Sequence, residues 1–145
     1  AKQALADFPS AIKGKTIAYT ADPQDGHSFT HIRLGDAASR IREGELLLYA
    51  VADELDATAQ AGGEVPRLRR AEMRNDCAVA VRRLLEGVEI LFRESGATGV
   101  RTSSPINRAL ADLQTTNNHG LLKLETNQEM YGRVLLGLEA NTPLI

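Results

Sequence analysis

The side chains that could do chemistry in this chain gather in one stretch, from Gly96 to His119. Thr102-Ser103-Ser104-Pro105 sets three hydroxyls ahead of an amphipathic run, with Arg108 one turn further on. Serine is a preferred helix N-cap, and proline suits the first helical position because its missing N–H would have had no partner there. A helix entered this way turns free amides and a positive dipole end outward, a cradle for phosphate or another anion. The same features also describe an ordinary, well-capped loop between helices. His119 stands at the polar far end of the run, after Gln114-Thr115-Thr116-Asn117-Asn118. An imidazole there can hydrogen-bond a ligand or move a proton, and a helix-end histidine satisfied by its neighbours is the competing reading. No Ser-His-Asp order, metal-spaced His/Cys set or phosphate loop ending in Gly-Lys-Ser/Thr is present, so no metal ligand is assigned. His27 falls in a loop and His31 at a helix start, both as structural residues.

The elements that must position this stretch are helical. Ala4, Leu5, Phe8 and Ile12 share one side of a short first helix, with Pro9 set to kink it or define its start. Gly14 to Phe29 is a loop punctuated by Asp22-Pro23 and Asp25-Gly26; Lys13 and Lys15 at its start could meet an anion, and the favoured reading is that they are solvated. Leu34, Ala37, Ile41, Leu48, Val51, Leu55 and Ala59 trace one apolar face of a long helix that Gly62-Gly63 ends. Gly44, in its middle, suggests close approach by a neighbouring helix. Pro66 opens a second long helix whose seam is Cys77, Val81, Leu84, Val88 and Leu91. Its basic run, Arg67, Arg69, Arg70 and Arg74, is interleaved with Glu72 and Asp76 and reads as a solvated or subunit-contacting face. Cys77 reads as a small core residue rather than a nucleophile. The third helix starts at Pro105, with Ile106, Leu110 and Leu113 inward. Thr126-Asn127-Gln128-Glu129 matches a capping box for a last helix with Met130, Val134, Leu135 and Leu138 on its apolar side. The expected fold is all-α, a bundle in a single domain over residues 1–145.

A net charge of −2 argues against a general nucleic-acid binder. The single cysteine cannot form an internal disulfide, which fits a reducing, cytoplasmic setting. No apolar run approaches the ~20 residues of a membrane span.

The pattern Gly96-Ala97-Thr98-Gly99-Val100, then Ser104-Pro105-Ile106-Asn107-Arg108, then Ala111-Asp112-Leu113-Gln114 and His119 resembles the C-terminal helical domain of the acyl-CoA dehydrogenase superfamily. It is most similar to the group D flavin-dependent monooxygenases, two-component hydroxylases of phenols and related aromatics. The similarity is tightest from about Arg67 to Ile145, and Tyr131-Gly132-Arg133-Val134-Leu135-Leu136-Gly137-Leu138 adds to it. The resemblance implies an up-and-down four-helix bundle with a short extra terminal helix. It implies a C-terminal piece of a larger flavoenzyme, in keeping with a chain that opens on Ala, and inactive by itself. It implies reduced flavin (FMN or FAD) and O2, a small aromatic substrate, a separate flavin reductase, and a homo-oligomer, dimer or tetramer. His119 then matches the active-site histidine, and Thr102, Ser103, Ser104 and Arg108 fall where relatives contact flavin, held mainly by an adjacent subunit. Two departures stand out. Gly120 occupies the place of the dehydrogenases' glutamate base, which favours oxygenation, and Ala111 stands where an arginine is common. The alternatives are an acyl-CoA dehydrogenase drawing its base from Glu125 or Glu129, and a stand-alone helical oligomerisation module.

Overall fold

The computed structural model describes all 145 residues as helices joined by turns and loops, with one isolated β-bridge between Thr16 and Pro23 and no strand. Helix α1 (Lys2–Ile12) packs Ala4, Phe8 and Ile12 inward. Pro9 faces solvent inside α1 without ending it, although the ring withdraws the bond that the Leu5 carbonyl would accept. His27 caps α2 (Ser28–Gln60), its Nδ1 accepting from the Phe29 N–H at 3.3 Å. His31 reaches back to the Asp25 carbonyl at 2.7 Å, so both histidines are structural.

Helices α2 and α3 (Arg67–Glu94) form the main contact of the fold, and α4 (Pro105–Asn117) and α5 (Leu124–Leu135) pack on α3. The close approach expected at Gly44 is present. A Cβ there would lie 2.8 Å from the Ala80 carbonyl oxygen, and one at Gly87 would lie 2.9 Å from that of Ala37. Two glycines on opposite helices therefore let the backbones meet. Phe8, Ile41, Val88, Leu91 and Ile106 fill the core where α1, α2, α3 and α4 converge. Excluding their apolar surface from water supplies the main drive for the bundle.

Three expectations need correction. The inward stripe of α2 is buried only to Val51; Leu55 borders an open cavity against α3 instead of meeting a packed partner, and Ala59 in the last turn is exposed. On α3, Val81, Val88 and Leu91 are buried but Cys77 and Leu84 only half so, and Leu85 joins the core. The capping box does not form: α5 begins at Leu124, with Lys123 as an N-cap that makes no side-chain bond. Asn127 is instead fully buried within α5, Met130 is buried, and Leu135 and Leu138 face solvent.

Candidate functional site

Ser104 caps α4 as its sequence requires, Oγ accepting from the Asn107 N–H at 3.3 Å, with Pro105 in the first turn. Asn107 returns the bond to the loop, its amide donating to the carbonyls of Val100 (3.1 Å) and Arg101 (3.3 Å). Ahead of them, Gly96–Val100 makes a short 3-10 turn. Gly96 takes φ 61°, a conformation that favours glycine. A Cβ at Gly99 would stand 3.0 Å from the Ser95 Cβ and 3.1 Å from the Phe92 carbonyl oxygen, so this turn lies tightly on the end of α3.

Lys15, read from sequence as solvated, is pinned here. Its Nζ donates to the Ser95 carbonyl at 2.7 Å and to the Thr98 hydroxyl. With Arg101, Ser103, Ser104 and Thr98 it lines a cavity of about 320 Å³ that no carboxylate enters. Burial, and then the charge of Arg101, hold the Lys15 ammonium below its ordinary pKa. Two cations and a helix N-terminus thus face one space, and an anion is the ligand charge that relieves them. Of the four residues singled out as cofactor contacts, Ser103 and Ser104 line this cavity. Thr102 and Arg108 are exposed and lie outside its lining.

His119 sits past the other end of α4, a 13-residue helix and so roughly 20 Å away. Within one chain the two sites share no cavity. His119 is exposed, and its Nδ1 accepts the Leu121 N–H at 3.3 Å. The neutral ring therefore carries its proton on Nε2, which is left as a donor. The His119 carbonyl accepts the Leu122 N–H at 2.8 Å, closing a tight turn. From α5, the buried Asn127 amide donates to the carbonyls of Leu121 (3.0 Å) and Lys123 (2.9 Å) and clasps that turn. Asn117 and Asn118 make no side-chain bond to His119; Asn118 serves as the C-cap of α4. Lys15, Arg101 and Asn127 were not assigned to a site from sequence. Thr98, within the quoted glycine motif, was the one local clue to Lys15, which lies more than eighty residues away.

The family described as acyl-CoA dehydrogenase, C-terminal domain, matches residues 1–123. The chain belongs to that family. Among relatives of this C-terminal domain, the pigment production hydroxylase of a Rhodococcus species is 29% identical over 138 residues, covering 95% of this chain and 35% of the relative. The flavin-dependent monooxygenase oxygenase subunit HsaA of Mycobacterium tuberculosis is 29% identical over 136 residues, covering 92% and 34%. In structure, the domain superposes on XiaF from a Streptomyces species, solved with FADH2 and glycerol, at a TM-score of 0.92 and 24% identity, over 99% of this chain and 37% of that one. The M. tuberculosis HsaA crystal structure gives 0.82 and 26%, over 98% and 36%. The chain spans about a third of the length of these relatives.

Proposed function

We propose that this chain is the C-terminal domain of a flavin-dependent monooxygenase that uses reduced flavin and O2 to oxygenate a small aromatic substrate. The observation that carries the reading is the pair His119-Gly120 on an exposed turn. A donor imidazole is present, and the neighbouring position has no carboxylate to abstract an α-proton. The dehydrogenase alternative would need Glu125, which is exposed and 3.6 Å from Arg82, or the exposed Glu129 of α5 to act in place of the missing carboxylate. The hydroxylase and monooxygenase relatives support the same choice.

The residues present fit one end of a flavin. The acid-free cavity of Lys15, Arg101, Ser103 and Ser104 suits its phosphate-bearing tail, and nothing in it suits the ring system; Thr102 and Arg108 would meet the flavin only from outside that lining. When bound, reduced flavin supplies the electrons that activate O2. His119 acts on the substrate instead. Its Nε2–H donates to the phenol oxygen and orients the ring, while the bond from Leu121 to Nδ1 fixes the tautomer. The two sites lie at opposite ends of α4, and a homo-oligomer (dimer or tetramer) brings them into one flavin cavity shared between subunits. A separate reductase supplies the flavin, FMN or FAD, in the cytoplasm.

The test uses the full-length parent, given a phenol, O2 and reduced flavin from a reductase. Hydroxylated product is expected, with His119→Ala slowing turnover about 100-fold or more while flavin affinity holds. Reduction of an artificial dye by acyl-CoA without any hydroxylation would replace this reading with dehydrogenation. Competition between FMN and FAD in the same assay names the flavin.

A further inference from the structure

A second, larger cavity lies away from the α4 start. It occupies about 470 Å³ between α2, the N-terminal half of α3, the turn after His119 and the C-terminal segment. That is within the range of small-molecule sites, which run from about 300 to 1,000 Å³. Val51, Met73, Cys77 and Leu122 wall it, and Leu144 and Ile145 roof it. The roof is fastened. Arg74 donates to the Leu144 carbonyl, Arg67 pairs with Glu139 at 2.6 Å, and Arg133 donates to the Glu139 carbonyl at 2.9 Å. Three bonds at Glu139 and Leu144 tie this segment down, so it is a cover over the apolar hollow, not a loose end.

The charge at the rim decides what the cavity would take. Arg70, Met73, Arg74 and Cys77 recur at steps of three, one and three, so they form one stripe on α3 facing the cavity. The neighbouring stripe, Arg69, Glu72 and Asp76, turns away and joins Glu54 of α2. Arg67, Arg69 and Arg74 all have protein partners. Arg70 has neither an ion pair nor a side-chain hydrogen bond, and no aspartate or glutamate lines the cavity. An apolar hollow with a free guanidinium at its edge complements a molecule with an apolar body and one negative head.

We infer that this cavity binds an amphiphilic organic monoanion, a carboxylate on an alkyl or aryl body, with the body beneath Leu144 and Ile145 and the head on Arg70. The site is distinct from the cationic cradle and does not rest on the oxygenase reading. Because Leu121 and Leu122 also line it, an occupied cavity braces the turn that carries His119.

Decanoate, kept below its micelle concentration, is the probe, and decyltrimethylammonium is the control with a body of the same length and opposite charge. Cys77, the only cysteine, reports occupancy through its rate of alkylation by a neutral maleimide. Calorimetry on the 145-residue chain is expected to show one decanoate per chain, and saturating decanoate to slow Cys77 alkylation several-fold. Arg70→Ala, at an exposed position, is expected to weaken decanoate about tenfold, and Arg70→Lys to recover part of the loss. Equal binding of the cationic analogue, an unchanged dissociation constant in Arg70→Ala, or an unprotected Cys77 would each overturn the inference. So would a chain whose Cys77 is shielded without ligand by self-association.

Discussion

Asn127 shows how much one side chain does in a turn without regular structure. Its amide is fully buried and bonds two carbonyls of the segment that holds His119, whereas its own Oδ1 finds no protein partner. Asn127→Ala loses both bonds and removes the orphaned acceptor, for a net cost of about 1–2 kcal/mol in urea unfolding. Amide exchange at Leu121 and Leu122 should quicken in the same variant; unchanged exchange would mean that the clasp is not what orders the turn. The sequence Thr126-Asn127-Gln128-Glu129 has the form of a capping box, and the true role was not legible because the helix starts earlier, at Leu124, which puts Asn127 in its first turn, bonded back to the N-cap Lys123 and to Leu121. Gly120 is the converse. Nothing lies within 4 Å of a Cβ placed there, so Gly120→Glu should fold with stability within about 0.5 kcal/mol of the parent. The missing carboxylate is then a matter of chemistry, not of room, and a large loss of stability in that variant would refute the point.

Between elements, the tightest joint is α2 against α3. Helix propensity alone predicts that Gly87→Ala gains about 1 kcal/mol. The contacts predict the opposite, since the new methyl would lie 2.7 Å from Ile41 Cγ1 and 2.9 Å from the Ala37 carbonyl oxygen. Overpacking of this kind costs roughly 1–3 kcal/mol, and the net loss should appear as a lower urea midpoint. Ile41→Ala relieves the first clash but empties a core position, so the relief should appear as a double-mutant loss smaller than the sum of the two single losses. Most of the elements were legible because their apolar positions recur at helical steps, and Gly44 even announced its joint. The end of the α2 stripe was not. Periodicity says which way Leu55 and Ala59 point, but not whether the partners close against them or leave a hollow, as they do at Leu55. Lys15 was hidden for a related reason, because its partners Ser95 and Thr98 become neighbours only once α1 and α3 have packed.

Across the whole molecule, the ionic network on the α2–α3 face gives a signed pH dependence. Arg69 forks onto Glu54 at 2.6 and 3.0 Å and holds that carboxyl below its ordinary value. Asp76, 3.6 Å from the same guanidinium, is pushed the other way, because burial and the charge of Glu72 outweigh Arg69. As pH falls, the unfolded chain protonates Glu54 first, so its stabilisation is present at neutral pH and lost as pH drops through the folded-state value. For Asp76 the folded chain takes the proton first, so its ionised form is a cost at neutral pH that acid relieves. Glu54→Gln should therefore lower the urea midpoint at pH 7 and Asp76→Asn should hold or raise it; the Asp76 difference closes first as pH falls, and the Glu54 difference only below the ordinary carboxylate range. Equal losses from the two variants at pH 7 would contradict this assignment. The roof over the apolar cavity has a practical corollary for anyone purifying the protein. Ile145 is itself part of the cavity lining, so an affinity handle joined after it would tug Leu144 away from Arg74 and leave the greasy hollow open to whatever detergent or column resin the sample meets.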